Sequence, residues 1–198
     1  MAIPNEERKY SYADYLTWDE GEKVELIDGE IFNMSPAPSR QHQQILGELF
    51  KAFSSFLEDA ECEVYFAPFD VRLFAENKRN DDINNVVQPD LTVVCDKDKL
   101  DDQGCNGSPD LIIEVISPSS IKTDRWEKYQ LYEKAGVKEY WLVDPINQSV
   151  EVHHLDNANY EFQGVFTQED TVSVQILPEL TLNLNEIFNK NDHKNQST

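Results

Sequence analysis

The sequence predicts an α/β (α+β) fold with a mixed sheet, and three features carry that expectation. Residues 111–116, a helical stretch from about Asp124 to Ala135, and residues 139–143 read as strand, helix, strand, the succession of a crossover unit. The runs at 91–95, 111–116 and 140–143 are apolar at nearly every position, as in central strands covered on both faces. Asp28-Gly29 stands between two short apolar-rich runs within 23–33, the signature of a tight hairpin.

The remaining elements follow in order. Ser11 is placed to cap a short helix reaching Trp18. Residues 35–39, with two prolines, form a loop. Ser39 caps a longer helix to about Glu58, in which Ile45, Leu46, Leu49, Phe50, Phe53, Phe56 and Leu57 recur at three and four. Two strands, 62–66 and 69–74, flank Pro68, and a polar, loop-like stretch covers 75–85. A strand at 90–95 is preceded by Pro89, and a loop containing Gly104 and Gly107 follows. The helix at 124–135 stops at Gly136. Asp144-Pro145 and Asn147 turn the chain into an outer hairpin, 149–155 and 160–166. A strand at 172–176 and a short helix at 185–188 complete a single domain over residues 1–189. Residues 190–198 read as a disordered tail.

A chain of 198 residues suits one domain, and 39% hydrophobic with 11% aromatic residues is globular composition. Acidic residues number 38 against 17 basic, a net charge of −21. The average field of such a chain repels a polyphosphate, which excludes a non-specific nucleic-acid coat protein. A nuclease survives that exclusion, because a local basic groove or bound cations reverse the field near a site. Cys62, Cys95 and Cys105 are odd in number and form no CxxC, so the expectation is three reduced thiols in a cytoplasmic protein. The first residues lack an apolar signal core, and no apolar run approaches the roughly 20 residues of a membrane span.

Glu114 is the only charged residue in its apolar run, and burying it without a partner is costly. Asp90 opens a neighbouring run 24 positions earlier, enough chain for a strand, a loop and a return. Two carboxylates meeting at one sheet end repel each other, and a hard divalent cation such as Mg²⁺ relieves this with oxygen ligands. The pair alone fits equally a strand-end acid matched with Arg or Lys. Asp124, Lys128 and Tyr132 stand at i, i+4 and i+8 on one helix face, with Arg125 on a neighbouring line. A lysine there can stabilise charge on a phosphate or position an attacking water. Taken by itself the same face is a surface ion pair worth about 0.3–0.5 kcal/mol. Asp110 shares the strand face of Glu114 by the period of two, as a lesser ligand or a strand-start acid. His153 and His154 alternate across a strand and read as structural. Tyr140-Trp141 and Asp144 read as architecture, with Trp141 packed between sheet and helix. Ser117 sits in no nucleophile elbow.

Pro89-Asp90-Leu91, then Pro109-Asp110-Leu-Ile-Ile-Glu114-Val-Ile-Ser117-Pro118-Ser119, then Asp124, Lys128 and Tyr132, then Gly136-Val-Lys-Glu139-Tyr140-Trp141-Leu-Val-Asp144-Pro145 occur in that order. In this the chain resembles the Uma2 family, restriction endonuclease-like proteins common in cyanobacteria and placed in the PD-(D/E)XK nuclease superfamily. The resemblance runs from the Glu25–Gly29 hairpin through His42 to Leu177-Pro178. It implies a restriction-endonuclease-like core, a mixed central sheet flanked by helices, with additional N-terminal and C-terminal hairpins. It implies Asp90 and Glu114 as acidic metal ligands, with the Val115 carbonyl as a further ligand and Mg²⁺ or Mn²⁺ as the cofactor. The lysine usual two residues after the glutamate is Ile116 here, and Lys128 from the following helix is the natural substitute. Glu25, His42, Asp110 and Tyr132 are supporting candidates. The expected function is Mg²⁺-dependent endonucleolytic hydrolysis of DNA. The alternatives are a catalytically weak or inactive nuclease-fold protein acting as a binding module, and a hydrolase of another phosphorylated substrate. A homodimer paired through the 149–166 hairpin is a further expectation.

Overall fold

A computed structural model of the chain describes residues 8–18, 24–34 and 37–189. Lys23, Ser35, Pro36 and the expected tail 190–198 lie outside the described residues.

Ser11 caps α1 (Tyr12–Tyr15). Its hydroxyl accepts the Asp14 N–H while the Asp14 carboxylate takes the Ser11 N–H, a closed capping box. Strands β1 (Val24–Ile27) and β2 (Glu30–Asn33) form the expected hairpin. Asp28 (φ 51°) and Gly29 (φ 75°) both adopt the left-handed backbone of a two-residue turn that matches strand twist. Helix α2 (Arg40–Phe56) starts under Ser39, whose hydroxyl accepts the His42 N–H. Next come β3 (Glu63–Phe66), β4 (Val71–Arg72), β5 (Val86–Val87), β6 (Leu91–Val94), β7 (Leu100–Asp101), β8 (Gly104–Asn106) and β9 (Leu111–Val115).

Two expectations change here. The strand expected at 90–95 is β6, and a further strand, β5, precedes it in a different sheet; the two part at Gln88–Asp90, where Pro89 has no N–H to give a ladder. The glycine-rich loop is a hairpin, β7 and β8, whose arms are too short for any period to show. Gly104 is required there. Its φ is 121°, and a Cβ would stand 2.2 Å from the Asp70 carbonyl oxygen.

The helix after β9 also differs from expectation. Thr123–Lys128 is a π-helical turn that runs into α3 (Tyr129–Ala135), ending at Gly136 with φ 84°. The Tyr140 hydroxyl donates to the Asp124 carbonyl at 3.0 Å, so a side chain enters the backbone ladder where the regular helix gives way. Then follow β10 (Glu139–Asp144), β11 (Ser149–Asp156), β12 (Asn159–Thr167), β13 (Thr171–Val174), β14 (Leu177–Asn183) and α4 (Leu184–Phe188). β14 went unforeseen because Pro178 and a register shift at Ser173/Val174 break its alternation.

The central sheet has the order β12-β11-β10-β9-β6-β3. It is mixed: β9 and β10 run parallel, as their crossover demands, and the other neighbours are antiparallel. A second sheet has the order β2-β1-β5-β4-β8-β7, so the N-terminal hairpin is its edge rather than an appendage. Leu111, Ile113 and Val115 of β9 pack into a core with Ile45, Leu49 and Phe53 of α2, the β13–β14 hairpin and α4. Ile112 and Ile116 face the other way, toward Leu131 and Tyr132 of α3 and toward β4 and β5. Trp141 is fully buried, edge-on to Phe53 at 6.3 Å, as its expected packing role requires.

The cysteine expectation is corrected. β3 and β6 pair Glu63 with Val94, and one step further along that register brings Cys62 to Cys95, where the two form a disulfide. Cys105 alone is free, and it is buried. The partnership comes from strand register across 33 residues, so no spacing motif announces it. Among the described residues no helix is long and apolar enough to cross a membrane.

Candidate active site

The register that pairs Leu91 with Ile113 places Asp90 opposite Glu114 when extended by one residue. The two acids are tied through the backbone. Asp90 Oδ2 accepts the Val115 N–H at 2.8 Å, and Glu114 Oε2 accepts the Asp90 N–H at 3.3 Å. Alternation along β9 turns Glu114 to the α3 face with Ile112 and Ile116. There Lys128 Nζ and the Tyr132 hydroxyl both donate to Glu114 Oε1 at 2.9 Å. Lys128 Nζ also lies 2.9 Å from Glu25 Oε1 and 3.7 Å from Asp124 Oδ1. Glu25 comes from β1 of the second sheet, held by the Gln88 N–H at 2.8 Å. His42, in the first turn of α2, brings Nε2 to 3.2 Å from Asp90 Oδ2.

Charge does not balance in this group. Four carboxylates, Glu25, Asp90, Glu114 and Asp124, face one lysine and one histidine. All but Asp90 are deeply buried; its side chain is 21% exposed, which makes it the acid that solvent reaches first. Burial pushes the Glu114 carboxyl well above its ordinary value, and the charges of Asp124, Asp90 and Glu25 add to this against the pull of Lys128. Burial likewise raises Asp124. For Lys128 burial acts downward, but Glu114, Glu25 and Asp124 outweigh it and keep the ammonium charged. Burial also opposes charge on His42, and the bond to Asp90 overcomes it, so its proton affinity rises.

The Uma2 family profile, described as "Putative restriction endonuclease", matches residues 12–185. The chain belongs to the Uma2 family. Two uncharacterized Synechocystis sp. proteins are similar to this Uma2 chain. The protein slr1290 is 30% identical over 75% of this chain and 76% of its own length, and sll1609 is 29% identical over 70% and 77%. A crystal structure titled as "a putative nuclease belonging to DUF820" from Anabaena variabilis superposes with a TM-score of 0.71 at 22% identity. It covers 90% of this chain and 97% of that one, and so shares the fold. The family description points to nuclease chemistry.

In this Uma2 chain Asp90, Glu114, Lys128, Glu25, His42 and Tyr132 converge, and the Val115 carbonyl lies at the same strand end. Asp110 does not join them. It shares the strand face, but four residues at about 3.3 Å each put it roughly 13 Å down the strand. There its carboxylate accepts the Cys95 N–H at 2.7 Å and pairs with Lys138 at 2.6 Å. Two further residues belong to the site. Tyr140, expected as architecture, anchors the Asp124 backbone, and Gln88 anchors Glu25. Gln88 works through its main chain, so its residue type gave no signal; Tyr140 signalled itself only as a polar tip in an apolar strand. Among the described residues no three or more His, Cys, Asp or Glu side chains form a metal-holding group. Two carboxylates with a backbone carbonyl nevertheless suit Mg²⁺, which is commonly held by one or two carboxylates with water completing its octahedron.

Proposed function

We propose that this Uma2 protein is a Mg²⁺-dependent endonuclease that hydrolyses phosphodiester bonds of DNA. The observation that carries this reading is the excess of carboxylate over cation at the carboxyl end of β9, where one acid remains open to solvent. Asp90, Glu114 and the Val115 carbonyl would hold the ion, with Mn²⁺ as a substitute. Bound there, a divalent cation supplies Lewis acidity toward a phosphoryl oxygen and lowers the pKa of a coordinated water.

The chain's own residues then have distinct tasks. His42 fixes the exposed carboxylate of Asp90 by its Nε2 contact. Tyr132 holds Glu114 Oε1 and so fixes the orientation of the other carboxylate. Lys128 stands in for the lysine missing at Ile116 and offers positive charge to the phosphate as negative charge develops. Glu25 and Asp124 keep that ammonium charged and aimed. Supercoiled plasmid and single-stranded circular DNA incubated with 10 mM Mg²⁺ or Mn²⁺ test the proposal. Cutting should occur with the wild type and vanish in Asp90→Ala and Glu114→Ala, and absence of metal-dependent cutting contradicts it.

One observation favours a second reading. Lys128 is buried and already engaged by three carboxylates, which leaves it no free direction toward a phosphate. This fits a catalytically weak or inactive nuclease fold that binds without cutting. Cleavage that depends on Lys128 rules this out.

A further inference from the structure

The same helical stretch that sends Lys128 inward presents a different face to a second cavity, of about 250 Å³, between the π-helical turn, α3 and β11. Trp126, Tyr129 and His153 line it together with the polar Arg125, Gln130 and Glu151. Trp126 is 62% exposed, a large apolar surface that no core accounts for. Tyr129 stands edge-on to the His153 ring, with centroids 5.0 Å apart, and the exposed Phe162 of β12 lies 5.7 Å from that ring.

The polar groups of the cavity are fixed and leave one position unmet. His153 Nε2 lies 2.9 Å from Glu151 Oε1, and Arg125 donates to Glu151 Oε2 at 2.6 Å. The hydrogen bond from His153 and the pairing with Arg125 hold the Glu151 carboxyl down to about 2. An ionised carboxylate only accepts, so His153 Nε2 donates to Glu151. His153 Nδ1 is buried and has no hydrogen-bond partner among the described residues. A buried ring nitrogen without a partner is costly, and a ligand with a complementary polar edge relieves it.

We propose that this cavity takes an unpaired nucleobase, its ring against Trp126 and Tyr129 and a polar atom of its edge paired with His153 Nδ1. The proposal rests on the nucleic-acid reading of the neighbouring site and narrows its substrate to single-stranded or frayed DNA, since a base stacked and paired in a duplex has no free face for Trp126 and Tyr129. The two sites lie on different faces of one helical stretch. A base held here therefore keeps its strand within about a helix diameter, roughly 10 Å, of Lys128.

Binding of a fluorescein-labelled ten-nucleotide single strand to the full chain, followed by fluorescence anisotropy in EDTA, tests this against two controls: a labelled strand of the same length lacking bases, and free dAMP as a competitor. Removing the bases should weaken binding roughly fivefold to a hundredfold, the range of one stacked base. Trp126→Ala should cause the same loss on the normal strand and none on the base-free one, and His153→Phe, which keeps the packing, should weaken the normal strand alone. Equal binding of the base-free strand overturns the proposal, as does undiminished binding by Trp126→Ala or free dAMP binding as tightly as the strand. The assay reads binding without cleavage. A protein that discriminates bases but never cuts keeps this inference and loses the nuclease reading, and one that cuts without discriminating does the reverse.

Discussion

Asp110 and Glu114 are two acids on the same face of the same strand, and their surroundings differ in kind. Asp110 is matched: one carboxylate, one lysine and one backbone N–H. Glu114 is oversupplied with its own charge, because Lys128 is shared with Glu25 and Asp124 while Asp90 stands opposite. Both acids are buried, so burial does not distinguish them. The distinguishing quantity is the ratio of acid to cation within reach. A matched acid completes a fold, and an unmatched group stores a demand for positive charge that a ligand can meet.

Mutation of the two ends should separate them most sharply in activity. Asp90→Ala or Glu114→Ala should reduce metal-dependent cutting on the order of 10³-fold, the scale of several kcal/mol of charge stabilisation, while Asp110→Ala leaves the rate within about threefold. Comparable losses at both ends would erase the contrast. Stability gives the next test. Lys128→Met leaves buried acids uncompensated and should cost about 3–5 kcal/mol near pH 8 by urea unfolding. The cost should shrink near pH 5. Glu114 and Asp124 hold protons more tightly folded than unfolded, so the stability present at low pH is lost as pH rises through their raised values. Asp110→Ala should cost less, about 1–3 kcal/mol, by leaving the Cys95 N–H without its acceptor. Glu151 should give the smallest effect, and of opposite sign in pH. Its folded value is about 2 against an ordinary 4.5, so its contribution is present above 4.5 and lost as pH falls toward 2. Glu151→Gln should therefore flatten the acid limb of a thermal-stability profile over that window.

The sequence made the apolar strands, the crossover and the DG hairpin legible, because each announces itself through local period or turn chemistry. Asp90 and Glu114 were legible as charges in apolar runs, and Lys128 as a helix-face neighbour. What it could not show depends on register. The pairing of Cys62 with Cys95, and the partners that Asp110 finds in the Cys95 N–H and Lys138, are fixed by how separate elements meet. The β7–β8 hairpin is too short to carry a period. At the π-helical turn of 123–128 the Asp124 carbonyl accepts from the Tyr140 hydroxyl, a partner that reaches it only in the folded chain. Glu25 is a candidate through the family resemblance alone, since it enters from a second sheet that no local pattern ties to β9, and Gln88, between β5 and β6, carries no signal.

Calorimetric titration of the metal-free protein with Mn²⁺ and Mg²⁺ addresses the central claim directly. The account predicts one saturable site in the wild type and in Asp110→Ala, and its loss in the Asp90→Ala, Glu114→Ala double variant. Unchanged binding in the double variant, or loss of binding in Asp110→Ala with its fold intact, would contradict the assignment of the unmatched acids as the cation's holders.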